Sequence, residues 1–466
     1  MPNLYNPRRF SYWLLFAFLC LLMLLLFVQP LFGQAPNRII YVNHSATDGY
    51  ANGVDWPNAY TDLRDALSNS NPGDEIWVAK GIYRAGYTDY FYLKDQVAVY
   101  GGFLGNEAAR SQRDWQKNET HLTGKPSDEN DFGIHAFRVV RGIGGLTEAT
   151  ILDGFYITGG YAVARGCHGS GGGLLIEDNS NPTLANLVIS GNRAYYGGGM
   201  FNGGNPKMTN ITFIGNSAVA GGGMLNHGKP IMEDIKFLKN SAVIGCEFGF
   251  DGYGAGMSNS GDLTMINVEF SKNTAEANGG GLRNGGKLAV INASFFGNSA
   301  LNGGGIFSEG DFGSIHLTNV TLSGNSAENG GGMHVEHINR PVIRNSILWK
   351  NIANNGANLH QHSFPVDLAE ISYSLIEGSG GSGDGWDENF GFDLGNNIDA
   401  DPLFISELGI LHLQENSPAV NAGLNSANET SNDLLGKSRI QDDVIDLGAF
   451  EGIYIPHHYY FPFVSN

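Results

Sequence analysis

The side chains of this sequence best suited to chemistry are one histidine-rich run and three small groups of acids. His334, Glu336 and His337, with His360 and His362 further on, could gather into a metal or acid-base cluster, because imidazoles and carboxylates both bind cations and move protons. Their spacing matches no standard zinc signature, so they read as outward-facing loop residues available for recognition. Asp384, Asp387 and Glu388 could serve a calcium-dependent lyase, but they fall in a Gly/Ser-rich stretch, Gly378 to Asp393, that reads as a solvated turn. The adjacent acids Asp442 and Asp443 lie near the C-terminal end, and Glu247 and Asp251 sit in an irregular insertion. Acid-base cleavage of a polysaccharide needs several aspartates gathered at one place as acid and base, and the repeat described below presents mostly Thr, Ser and Ala outside. No catalytic residue, metal ligand or cofactor is therefore assigned, Ca2+ being the one cation these acids would suit.

The elements that position these groups follow from composition and period. The chain has 466 residues and a formal charge of −19, with Lys and Arg sparse and scattered, which excludes a nucleic-acid partner. Glycine occurs 67 times without a collagen period, beside enough Phe and Tyr for a core, so it punctuates a folded chain.

Self-similarity gives the organisation. An asparagine recurs at Asn192, Asn216, Asn240, Asn273, Asn298, Asn325 and Asn351, at spacings of 24 to 27 residues except for 33 between Asn240 and Asn273. That longer interval holds the insertion Val243 to Tyr253, where Glu247 and Asp251 lie. Six residues before each comes Asn186, Asn210, Asp234, Asn267, Asn292, Asn319 or Asn345. Between the two marks the pattern is that of a strand, as in Ile211, Thr212, Phe213, with the outer two inward. A second short strand precedes the first mark, and a third follows each glycine cluster, as at Gly197 to Met200. Three short strands per coil predict a solenoid whose like strands stack in parallel, with the asparagines forming ladders and the glycines turning crowded corners. Ile76 to Val78, Val97 to Tyr100 and Phe137 to Val140 read as earlier strands.

Residues 150 to 355, with copies such as FIGNSAVAGGGM and FFGNSALNGGGI, resemble the Phe-x-x-Asn and Gly-Gly-small-apolar repeats of polymorphic outer membrane proteins and of right-handed parallel β-helix repeat proteins. The likeness implies a surface-exposed passenger or adhesin. It departs in one respect, because those proteins end in an autotransporter barrel and the residues after Gly452 cannot build one. Tyr41 to Arg84 looks like the opening of many secreted pectate-lyase-like β-helix proteins, with Leu63, Ala66 and Leu67 on a short capping helix. Asp401 to Phe404 (DPLF), Asn416 to Gly423 (NSPAVNAG) and Asp446 to Gly452 (DLGAFEG) look like the choice-of-anchor Q domain, which implies display at the cell surface.

The expected fold is thus all-β, a single-stranded right-handed parallel β-helix of pectate-lyase-like form with an N-terminal helical cap. Residues 1–35 are its leader, 36–150 the cap and first coils, 151–355 the regular repeats, 356–452 the C-terminal coils and 453–466 a tail. The expected function is secreted or cell-surface, noncatalytic adhesion or glycan binding, with an extracellular polysaccharide or a host or cell-surface ligand as partner. The alternative is a polysaccharide lyase or glycoside hydrolase.

Arg8 and Arg9 precede an almost unbroken apolar run from Phe10 to Val28, which reads as an export signal or an uncleaved anchor, and membrane contact is expected only there or through a surface anchor. Cleavage is expected after Gly33, since Pro36 disfavours the bond after Ala35. N-terminal sequencing of the native protein should therefore begin at Gln34, and a sequence beginning at Met1 would instead establish an anchor.

Overall fold

The computed structural model describes residues 38–452 except 48, 127–134, 164–168, 244–251, 311–313, 337–339, 363–367 and 406–410. Its strands form a right-handed parallel β-helix, with a 17-stranded, a 10-stranded and a 5-stranded sheet running along it. Among the described residues the strands of these sheets pair in parallel and join equivalent positions of successive coils, as in Met208 to Met232, Phe213 to Phe237 and Met200 to Met224.

The local causes lie in the repeat. In Lys207–Ile214 the residues Met208, Ile211 and Phe213 are buried, whereas Thr209, Asn210 and Thr212 are not. The inward positions switch phase between Met208 and Ile211 because Asn210 has φ +53°, a left-handed corner. The same corner occurs at Asn186, Asp234, Asn267, Asn292, Asn319 and Asn345, where Asn and Asp tolerate a conformation that most residues resist. The two strands expected around this mark are thus one element bent at a single residue. After the second mark the chain turns through Gly221 at φ +66°, and a Cβ on Gly223 would lie 2.4 Å from the Gly256 carbonyl oxygen of the next coil. Only glycine allows that approach.

Inside, Phe213, Phe237, Phe270 and Phe295 stack with centroids 4.6 to 4.9 Å apart and planes within 9°. Beside them Asn192, Asn216, Asn240, Asn273, Asn298 and Asn325 form a buried column. The Asn240 Nδ2 donates to Asn273 Oδ1 at 3.0 Å and to the Phe213 carbonyl at 3.0 Å, while its Oδ1 accepts from the backbone N and Nδ2 of Asn216. Two donors and two acceptor sites are all used, so the amide is buried without a desolvation debt. A second buried amide ladder, Asn202, Asn226, Asn259 and Asn284, runs under the 10-stranded sheet with Nδ2 to Oδ1 distances of 2.7 to 2.8 Å.

The early region differs in detail from expectation. A strand covers Val140–Gly142 rather than Phe137 to Val140, and Phe137 itself lies outside it. The helix Leu63–Asn69 is present, with Asp62 as N-cap accepting from the Arg64 N–H at 2.8 Å, and it adds Leu63, Ala66 and Leu67 to the main core. It packs on strands Ile39–Val42, Glu75–Ala79 and Phe91–Leu93.

At the other end the Gly378 to Asp393 stretch is not merely a solvated turn. Trp386 and Phe390 pack against the main core, and the Gln361 side-chain amide donates to the Asn389 and Phe390 carbonyls. Apolar rings cover what would otherwise be bare core at the last coil. From Asp401 the chain then doubles back along the corner asparagines. Asn345 exchanges two hydrogen bonds with Leu424, Asn319 donates to Asn428 Oδ1, and Asn292 donates to Thr430 Oγ1 and the Asn432 carbonyl. Leu413, Ala419 and Leu447 of this strap bury Ile347, Trp349 and Leu375 in a second small core.

The strap closes on a buried charged knot. Arg439 is fully buried, its Nη2 donates to the Gly448 carbonyl at 2.8 Å, and its Nη1 lies 3.4 Å from Glu451 Oε2. Asp433 accepts the N–H groups of Leu435, Lys437 and Glu451. One guanidinium cannot compensate every buried carboxylate around it. Burial first, then the charge of Asp446, pushes Glu451 up to about 8, against the opposing pull of Arg439, and burial also raises Asp446.

Two outcomes follow. Phe237→Ala should cost about 3–5 kcal/mol in a denaturant melt through the cavity it leaves, and a neutral result would contradict the stacked register. The folded strap also holds the Glu451 proton more tightly than an unfolded chain does, so that contribution is complete below the ordinary carboxylate pKa of about 4.3 and is lost as pH rises towards 8. Strap resistance to limited proteolysis should therefore fall from pH 5 to 8, and Glu451→Gln, which has no proton to lose, should flatten that fall.

Candidate recognition surface

The ladder residues repeat in every coil, so they offer no single place unlike the others. The outer face of the 10-stranded sheet does. Most of its strands follow a glycine cluster, and the residue just after the first inward side chain lies on the outer side, where Phe201, Arg283 and His360 are partly exposed while Leu225, Ser258, Phe307 and His334 are covered. Here the repeat stops repeating: successive coils place Phe201, Leu225, Ser258, Arg283, Phe307, His334 and His360 in register.

Three groupings stand on this face. Arg141 pairs with Glu177. Arg283 pairs with Glu309, and its guanidinium lies 5.1 Å from the centre of the Tyr253 ring. The His334 ring lies between those of Phe307, at 5.3 Å and tilted by 30°, and His360, at 4.7 Å and tilted by 42°. The His334 Nε2 stands 3.1 Å from Glu336 Oε1, and the two Nδ1 atoms of His334 and His360 are 3.2 Å apart.

The histidine assignment from sequence needs correction. His334 and Glu336 lie on the strand Met333–Glu336, and His360 and His362 on the strand Leu359–His362, not in loops. His334 is only 3% exposed, because the frame Gly-Gly-Gly-Met-His sets it on a strand between Phe307 and His360 rather than at a turn. Burial, and then the neighbouring His360, lowers its pKa, and burial likewise lowers that of His360. Both rings are thereby held neutral near pH 7. His337, Glu247 and Asp251 lie outside the described residues.

The other acids are absorbed by local structure. Asp387 caps the short turn Glu388–Phe390 by accepting from the Asn389 N–H at 3.0 Å, while Asp384 is exposed. Asp443 sits at φ +69° beside the strap, and its carbonyl accepts from Asn425. Among the described residues no three His, Cys, Asp or Glu side chains are grouped so as to hold a metal ion. A shallow groove of about 460 Å³ lies near His44, Tyr83 and Arg84, but Arg64 at its wall is already engaged by Asp62 and Asp89.

Sequence reasoning missed Arg141, Glu177, Arg283, Glu309 and Tyr253. The signal was there: the position after Leu174, Met200, Met224, Met257, Leu282, Ile306 and Met333 changes chemistry from copy to copy, whereas the one before it stays apolar.

No family model matches the chain, and none of the curated proteins matches it. Among solved structures, pectate lyase Pel9A is 14% identical, with 90% of this chain and 97% of that one covered and a TM-score of 0.52. A 1,3-α-1,4-β-D-galactose-4-sulfate-3,6-anhydro-D-galactose-2-sulfate 4 galactohydrolase (12% identity, 77% and 95% covered, TM-score 0.27) and the surface adhesin PfbA of Streptococcus pneumoniae (12%, 72% and 78%, 0.25) fit too loosely to carry an argument. What this chain shares with the pectate lyase is the fold, a right-handed parallel β-helix.

Proposed function

We propose that the protein acts outside the cytoplasm or at the cell surface as a noncatalytic polysaccharide-binding β-helix, with the outer face of the 10-stranded sheet as its binding surface. The observation that carries this reading is the concentration of unlike side chains on one face of an otherwise uniform solenoid. Recognition needs one distinctive set of groups, and rigid scaffolds present such sets beside irregular segments. The insertion Val243 to Tyr253 leads directly into this face, since Tyr253 lies against Arg283.

The chemistry suits a neutral glycan. Arg141 with Glu177 and Arg283 with Glu309 offer adjacent donors and acceptors to hydroxyl groups while adding no net charge. The rings of Tyr253 and Phe201 supply apolar area for the carbon face of a sugar. The overall charge of −19 opposes an acidic polymer. The leader-like start of the sequence supports export, and the resemblance of residues 401–452 to a surface-anchoring domain supports display.

Binding of the full chain to a panel of neutral and acidic polysaccharides tests the reading. A neutral polymer should be retained, Arg283→Ala should weaken that retention by roughly tenfold or more, and Thr212→Ala on the repeating face should leave it unchanged. Excising residues 244–251 of the insertion Val243 to Tyr253, which spares the rung hydrogen bonds of Val243, Gly252 and Tyr253, should weaken it too while leaving the β-strand circular dichroism intact. Binding that ignores Arg283 would contradict this choice of face. New reducing ends or unsaturated products in the same mixtures would replace it with a lyase or hydrolase.

A further inference from the structure

We infer that His334 and His360 form a binding site for a divalent transition-metal ion, with Glu336 as the residue that orients it. The inference stands apart from the glycan reading, because it uses only the geometry of these three side chains.

The two histidines occupy the same register position on adjacent strands, Met333–Glu336 and Leu359–His362. Their Nδ1 atoms are 3.2 Å apart. Two nitrogen ligands at about 2.0–2.1 Å from one tetrahedral ion stand about 3.3 Å apart, so the backbone already sets the spacing an ion requires. The protonation pattern fits as well. With the Nε2 hydrogen of His334 donated to Glu336 across 3.1 Å, a lone pair is left on Nδ1. In the metal-free chain the Nδ1–H of His360 donates to that lone pair. An ion displaces this hydrogen to Nε2 of the same neutral ring, so both Nδ1 lone pairs face the ion and no proton need leave the protein.

The surroundings favour binding as well. Glu336 stands behind His334 as the carboxylate partner that fixes a ligating imidazole's tautomer and orientation. His334 is clamped between two rings and cannot swing away. Preference follows the general order for nitrogen donors, with Cu2+ above Ni2+ and Zn2+.

Equilibrium dialysis of the full chain against CuCl2 and ZnCl2, with metal analysis and electron paramagnetic resonance of the copper form, tests the site. The chain should take up an ion whose copper spectrum shows two equatorial nitrogen ligands. His360→Ala, at a partly exposed position on the last strand of its sheet, should lose one equivalent with unchanged circular dichroism, and His334→Ala should lose the same one. Glu336→Gln should weaken uptake by roughly 10–100-fold. A chain that takes up no ion at submillimolar metal, or a His360→Ala chain that takes up as much as the parent, would overturn the inference.

Discussion

The interaction on which the rest depends is the amide ladder inside the coil. A chain wound into stacked rungs must bring its turns inward at each circuit, and the polar groups of those turns meet no water. Asparagine solves this because its side chain carries two donors and an acceptor oxygen with two lone pairs, in a plane that can repeat from rung to rung. Asn216, Asn240, Asn273, Asn298 and Asn325 each donate to the next ladder amide along the chain and to a carbonyl further back, and each accepts from the ladder residue before it. With the rungs pinned at this spacing, the phenylalanine rings fall into stacking distance and the glycine corners come into carbonyl contact.

A scaffold of this kind is uniform, and uniformity is why function is confined. Identical groups on every coil cannot set one pKa apart from another or mark one spot on the spindle. The chain varies its outward side chains on the 10-stranded sheet and keeps the first inward position apolar. On the long sheet the strap covers the later coils through Asn292, Asn319 and Asn345, whereas the equivalent Asn210 and Asp234 remain exposed.

Much of this was legible in the sequence. The repeat of Asn216, Asn240 and Asn273 and the Phe three positions before each mark give the rung register, because a periodic fold writes its period into the chain. The second ladder was equally legible, two residues beyond the Met of each glycine cluster at Asn202, Asn226 and Asn259, but an Asn there looks like an ordinary turn residue until the frame is aligned. The alternation of His334 and Glu336 looked like a loop for the same reason. The strap was not legible in this way. Its contacts join residues such as Asn292 and Thr430, 138 positions apart, through single hydrogen bonds without period. Trp386 and Phe390 gave a hint of an end cover, masked by the glycines and acids around them.

The dependence on the ladder is tested most directly at Asn240, by comparing the denaturant stability of Asn240→Asp with that of Asn210→Asp. At Asn240 the change removes both donors and sets a carboxylate against the Asn273 Oδ1 and the Phe213 carbonyl in a buried site, whereas Asn210 is exposed. Asn240→Asp should cost about 3–5 kcal/mol, as expected for an uncompensated buried charge, and Asn210→Asp should stay within about 0.5 kcal/mol of the parent. Equal, small losses at the two positions would show that the coil does not rest on its inner amides.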